Sequence, residues 1–224
     1  MYIFPVIKGS ITDYDVLVTG HLKWNRYFGE TPQSPPRGDP STCSSVLIRG
    51  KQADGSEYVL IVDPTARWTP EAYYFDINRR TGLKPDRVTH LFCTHHHADH
   101  YEAFKYFPNA IWLAAEPVAG LLRGNKLVDG SRIVPVAGEF LPGVFALPLP
   151  GHTDTLHGIA FSAEGKNLLV AADAVMTKYH YQNSTTEFQP DPEMNAVAAR
   201  TIENIKESFD MVIPGHDQLI VNWR

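Results

Sequence analysis

A chain of 224 residues, 43% hydrophobic, with 16 glycines and 17 prolines, is long enough to bury a sizeable core as a single globular domain. A formal net charge of −5 and a pI near 6.0 supply no global attraction toward phosphate backbones or anionic lipid, so neither nucleic acid nor a membrane is an expected partner. Two cysteines, Cys43 and Cys93, are too few for a disulfide framework, and the start Met1-Tyr2-Ile3-Phe4-Pro5 lacks the charged and apolar regions of a secretory leader, so the expected location is cytoplasmic.

In chain order, residues 15–19 and 45–49 read as strands. Between them lies a loop rich in proline and polar residues over positions 31–40, long enough to cover a site. The aromatic approach to it, Trp24, Tyr27 and Phe28, is a candidate lid, although anchoring in the core is the favoured reading. Residues 45–49 and 58–62 flank the turn signal Ala53-Asp54-Gly55-Ser56 and form an expected hairpin. The second strand ends at Asp63, which can hold a ligand histidine in one tautomer or serve as a turn or cap residue. Thr69-Pro70 reads as an N-cap and first helical position, opening a helix that runs to about Thr81 and stops at Gly82.

The strand-like run 88–93 then delivers Thr94-His95-His96-His97-Ala98-Asp99-His100, which holds four of the ten histidines. On an extended backbone alternate side chains share a face, so His95 and His97 can point to one metal ion while His96 points away. A helical turn beginning near Asp99 would swing that carboxylate and His100 toward a second position. Cys93 could share the face of His95, but a buried, inert thiol is the better reading. Beyond the motif, residues 101–106 read as a short helix, 110–115 as a buried strand and 116–122 as a helix.

The second half is mostly β, with apolar runs at 133–136, 144–149, 158–162 and 168–171 and a turn at Ala163-Glu164-Gly165-Lys166. Two of these runs lead into ligand types at strand ends, His152 within Pro150-Gly151-His152-Thr153, and Asp173. Asp191-Pro192 caps a helix with Met194, Ala198, Ile202, Ile205 and Phe209 at helical spacing. The strand 211–213 follows and ends in Pro214-Gly215-His216-Asp217. The remaining histidines, His21, His90, His157 and His180, match no ligand position.

The series His95-x-His97-x-Asp99-His100, Pro150-Gly151-His152, Asp173 and Pro214-Gly215-His216 resembles the metallo-β-lactamase superfamily over residues 44 to 218. The resemblance implies an α/β fold, an αββα four-layer sandwich with mixed sheets and helices on the outer faces, with residues 1–43 adding a strand and the candidate lid. It implies that His95, His97 and His152 hold one metal, that Asp99, His100 and His216 hold the other, and that Asp173 bridges them. Asp99 and Asp173 would be the catalytic carboxylates. Five imidazoles and two carboxylates without a thiolate suit borderline divalent ions, with zinc first and iron or manganese as alternatives. Superfamily members with a redox di-iron centre carry Glu where this chain has His97.

Two such ions lower the pKa of bound water toward about 7, so the expected reaction is attack of a metal-bound hydroxide on an ester, lactone, thioester or amide of a small molecule. The alternatives are a mononuclear-iron persulfide dioxygenase and a non-catalytic metal-binding protein. Residues 173–178 are similar to the corresponding segment of N-acyl-homoserine lactonases, except that their tyrosine three residues after the bridging aspartate is Met176 here. The following stretch, with Met176, Tyr179, His180 and Tyr181, is expected to line the substrate pocket.

Overall fold

Alternation along the strands decides the layers. In the computed structural model, which describes residues 11–31, 34, 41–65, 69–186 and 191–222, twelve strands form two six-stranded sheets. The first contains β1 (Ile11–Val18), β2 (Ser45–Lys51), β3 (Glu57–Val62), β4 (His90–Cys93), β5 (Ile111–Ala115) and β6 (Ile133–Val136), paired in chain order. The second contains β7 (Gly138–Leu141), β8 (Val144–Pro148), β9 (His157–Ala163), β10 (Lys166–Ala172), β11 (Met211–Pro214) and β12 (Ile220–Val221), also neighbours in chain order. Both sheets are mixed: β3 to β6 run parallel beyond the β1–β2–β3 meander, and β10–β11 is the parallel pair in the second. The chain passes from one sheet to the other at Ala137.

Three apolar layers hold this together. Val46, Ile48, Leu60, Val62 and Phe92 of the first sheet meet Val144, Ile159, Phe161, Leu168 and Val170 of the second. The intervening residues Leu47, Val59, Ile61 and Leu91 face the other way, toward Tyr73 and Ile77 of α1 (Pro70–Thr81) and Val118 and Leu122 of α2 (Glu116–Leu122). Leu169 and Ala171 likewise turn from the inter-sheet layer toward Ile202 and Ile205 of α4 (Pro192–Ser208). The result is the α/β sandwich of four layers, helices outside, that the sequence resemblance implies. Among the described residues no helix is long and apolar enough to cross a membrane.

The helix boundaries follow local chemistry. Thr69 accepts a hydrogen bond from the Ala72 N–H, Pro70 occupies the first turn, and Gly82 closes α1 in the left-handed conformation at φ 70°. Asp191 accepts from the Glu193 N–H at the start of α4. Other elements differ from expectation. β1 begins at Ile11, β4 begins at His90 because Pro85–Arg87 takes a 3-10 turn, and Glu102–Tyr106 is 3-10 rather than α. The two short strands β7 and β12 and the helix α3 (Lys178–Asn183) have no counterpart in the sequence reading. Most of the proline-rich 31–40 loop lies outside the described residues.

Candidate metal centre

The ligand types sit just beyond strand ends, where two parallel stretches of sheet bring their C-terminal edges together. Asp63 follows β3 with φ 49°, and its carboxylate accepts from the Thr94 N–H at 2.9 Å and the Thr94 hydroxyl at 2.8 Å. This fixes the start of the histidine motif. His97 then precedes the 3-10 turn Ala98–His100, which sets Asp99 and His100 in a second group beside the first, the His100 ring packing 4.2 Å from that of His95. Asp173 follows Ala172, a non-glycine residue held at φ 46°, and His216 follows Gly215 at the end of β11. Gly215 is required by close approach, because a Cβ there would collide with the Asp173 carboxylate and the Ala172 backbone.

Two groups of ligand atoms result, His95 with His97, His152 and Asp173, and Asp99 with His100 and His216. His97 Nδ1 lies 3.0 Å from both His95 Nε2 and His152 Nε2, and Asp173 Oδ2 lies 3.3 Å from His152 Nε2. Asp173 Oδ1 lies 3.2 Å from His216 Nε2 and 3.3 Å from His100 Nε2, while Asp99 Oδ2 is 3.8 Å from His100 Nε2 and 3.9 Å from His216 Nε2. Ligands about 2.0–2.1 Å from a tetrahedral ion stand about 3.3 Å apart, so these spacings fit bound metal. His100 Nε2 and Asp173 Oδ1 are buried without a hydrogen-bond partner, as atoms aimed at a cation would be. His96 belongs to neither group.

The far sides of the histidines are held. His100 Nδ1 is 2.8 Å from Asp63 Oδ2, and His216 Nδ1 is 2.8 Å from the Thr42 carbonyl oxygen, which leaves each Nε2 facing the centre. Asp63 thus takes the tautomer-holding alternative. Thr42 escaped the sequence reading because its contribution is a main-chain carbonyl. Cys93 is fully buried and donates to the His95 carbonyl at 2.8 Å, while the Cys43 thiol donates to the Asp99 carbonyl at 3.0 Å. Both thiols brace the motif from beneath.

Charge divides the two groups. Burial pushes His152 down to about 4, and burial with His100 nearby holds His95 well below the ordinary histidine value. Burial also lowers His97. At His100 and His216 burial acts in the same direction but is outweighed. Cys43 and the carboxylates of Asp63, Asp99 and Asp173 raise His100, and Asp173 followed by Asp99 raises His216. The Asp173 carboxyl, despite burial, is held well below the usual range by His216, His100 and His152. The environment therefore favours neutral imidazoles at His95, His97 and His152 and protonated ones at His100 and His216, whose protons metal binding would displace.

A cavity of about 210 Å³ adjoins the second group through His216. Of the residues expected to line a pocket, Tyr179 does so, together with Thr177. Met176, His180 and Tyr181 are instead turned inward, at 5%, 1% and 8% exposure. The reason is α3: its helical turn leaves Tyr179 outward while His180 bonds Thr177 Oγ1 through Nδ1 at 2.8 Å and Tyr181 joins the core beside α4. The opposite wall comes from His21, Trp24 and Tyr27. Tyr27 and Phe28, expected to be core anchors, are 58% and 70% exposed. Two of the three aromatics named as a candidate lid, Trp24 and Tyr27, thus reach the cavity beside His216.

Residues 38–216 match the family description of the metallo-beta-lactamase superfamily, and the chain belongs to that superfamily. It is accordingly an enzyme, a hydrolase of that class. It is 25% identical over 173 residues to metallo-beta-lactamase domain-containing protein 1 of Xenopus laevis, covering 74% of this chain and 71% of the relative. It is 26% identical over 161 residues to the N-acyl homoserine lactonase of Bacillus thuringiensis, covering 67% of this chain and 64% of the lactonase, less than two thirds of that protein's length. The solved structure of a quorum-quenching N-acyl homoserine lactone hydrolase superposes with a TM-score of 0.64 at 18% identity, over 91% of this chain and 90% of the other, a likeness of fold.

Proposed function

We propose that the chain is a dinuclear metallo-hydrolase, with zinc in both positions, that cleaves an ester, lactone, thioester or amide bond of a small molecule in the cytoplasm. The observation that carries this reading is the placement of the Asp173 carboxylate between the groups, with Oδ2 3.3 Å from His152 Nε2, Oδ1 3.3 Å from His100 Nε2, and His216 Nε2 3.2 Å from Oδ1 and 3.3 Å from Oδ2. His95, His97 and His152 would hold one ion, Asp99, His100 and His216 the other, and Asp173 both. Ions held there supply Lewis acidity and a water acidic enough to ionise near pH 7. Asp173 and Asp99 would orient a water held there, and either carboxylate could hold a proton bound for the leaving group. Asp63 and the Thr42 carbonyl keep the Nε2 atoms of His100 and His216 forward throughout. No serine or cysteine nucleophile is needed. The inward Met176 offers no hydroxyl at the position of the lactonase tyrosine, which argues for a substrate other than the long-chain homoserine lactones.

Elemental analysis of the purified protein, paired with a panel of esters, lactones, thioesters and amides, tests the reading. Close to two zinc ions per chain and turnover on at least one substrate class are expected. One iron and no zinc would move the assignment to a dioxygenase, and tightly held metal without turnover would leave a metal-binding protein.

A further inference from the structure

We propose that His21 is a substrate-binding residue, its Nε2 hydrogen-bonding a hydroxyl or amide that the substrate carries apart from the cleaved bond. The inference rests on the hydrolytic reading above and adds a residue and a substrate feature to that same site. Of the four histidines that match no ligand position, His21 is the one that lines the cavity beside His216. A molecule with its reacting bond at the metals and its remainder directed past His216 meets this wall.

The chain fixes this ring relative to a metal ligand. His21 and Thr42 form an isolated antiparallel bridge, in which the His21 N–H donates to the Thr42 carbonyl at 2.9 Å and the Thr42 N–H donates to the His21 carbonyl at 3.0 Å. The same Thr42 carbonyl stands 2.8 Å from His216 Nδ1, and Thr42 Oγ1 stands 3.0 Å from His21 Nδ1. One residue thus sets the cavity histidine and the metal ligand in register. A ring ordered before the ligand arrives lowers the entropy cost of binding it.

The second ring nitrogen is left for a ligand. His21 Nε2 has no protein partner among the described residues and is not closed off from solvent. Other polar groups of the lining are engaged within the protein. Thr177 Oγ1 is 2.8 Å from His180 Nδ1, the Tyr27 hydroxyl donates to Gln182 Oε1 at 3.0 Å, and the Asp217 carboxylate accepts from the Lys178 and Gln218 N–H groups at 2.9 and 2.8 Å. A hydroxyl both donates and accepts, so Thr42 Oγ1 suits either tautomer of His21, and Nε2 can accept from the ligand or donate to it. Trp24, Tyr27 and Tyr179 line the same cavity, so the polar group can sit on an aromatic frame.

Calorimetry on the full-length, zinc-loaded protein tests the proposal with phenylacetate and its ortho-, meta- and para-hydroxy derivatives. The carboxylate is common to the set, so its attraction to the metals cancels, and the position of the hydroxyl scans the reach to His21. One hydroxy isomer is expected to bind about fivefold more tightly than phenylacetate, the size of one net hydrogen bond. His21→Asn keeps an amide near Thr42 Oγ1 but has no atom at the place of Nε2, and it should abolish that gain with zinc content unchanged. His21→Gln sets an amide near that place and should keep part of the gain. No gain from any isomer, a gain that survives in His21→Asn, a gain lost together with zinc, or one lost as fully in His21→Gln would each overturn it. Turnover of methyl phenylacetate is measured alongside. Absent turnover with the binding gain intact sinks the hydrolytic reading and spares the role of His21, whereas turnover without the gain does the reverse.

Discussion

Asp173 is 3% exposed and faces histidines of both groups, so one side chain controls the spacing of the whole centre. Asp173→Ala is expected to release metal and to lower turnover by at least about 100-fold, by analogy with removing one preorganised electrostatic contact. His96→Ala should leave metal content unchanged and cost about 0–1 kcal/mol, since His96 belongs to neither group and its contact with the His97 ring is edge to face at 5.0 Å. Metal analysis and urea unfolding of the two variants separate them, and metal lost from His96→Ala would refute the alternation argument. A second expectation concerns acid. In the metal-free protein His152 titrates at about 4 instead of 6.5, so between those values the unfolded chain binds the extra proton and stability falls as pH falls, by up to about 3 kcal/mol from this residue. His100 and His216, with raised values, oppose this only near the top of that range, where the unfolded imidazoles are still partly unprotonated, and add no slope lower down, where they are protonated in both states. Urea midpoints of chelated protein at pH 6.5 and pH 4.5 check it, and an unchanged midpoint would contradict it. The histidines and aspartates of the two groups are legible in the sequence because they follow strands and carry chemistry of their own. Thr42 and Asp217 were not, because a carbonyl and a turn aspartate acquire meaning only through partners distant in sequence.

At the scale of elements, the segment between β1 and β2 is clamped onto the loop after β11. The Ser44 N–H donates to the Gly215 carbonyl at 2.6 Å, and the Gly20 N–H donates to Ser44 Oγ at 3.0 Å. Gly20 lies so close that a Cβ would strike the Gly215 carbonyl and the Ser44 backbone. Gly20→Ala is therefore expected to cost about 1–3 kcal/mol and to weaken metal retention through the displaced Thr42 carbonyl, measurable as a lower urea midpoint and faster zinc loss to a chelator. Wild-type values for both would show that the clamp is dispensable. Helices with explicit caps, α1 and α4, could be read from the sequence, as could the strands rich in Val, Ile and Leu. The segment 178–183 could not, because Lys-Tyr-His-Tyr-Gln-Asn has no apolar period and its helix is held by contacts with residues distant along the chain. β12 is two residues long and is defined by its pairing with β11.

Across the molecule, metal binding and folding are one equilibrium. Ions that bind the folded chain and not the unfolded one add about 4 kcal/mol when free metal exceeds Kd a thousandfold. For a protein of this size that corresponds to a Tm about 8–16 °C higher, lost on chelation and restored by zinc, which calorimetric scans would register. No change on chelation would mean that the ligand loops are ordered without help and weakly coupled to the sandwich.

The crossing at Ala137 gives the centre a further meaning. Residues before it build the first sheet and residues after it the second, yet each ligand group takes members from both sides, His95 and His97 with His152 and Asp173, Asp99 and His100 with His216. Metal held by these groups would rivet the two halves of the chain together. A protein severed there would remain two pieces able to recognise each other through the Val46–Phe92 and Val144–Val170 faces, but only metal would lock their register. Split into fragments 1–137 and 138–224 and produced together, the enzyme is expected to become a metal-gated complementation pair, its reassembly reporting metal occupancy without any substrate at all.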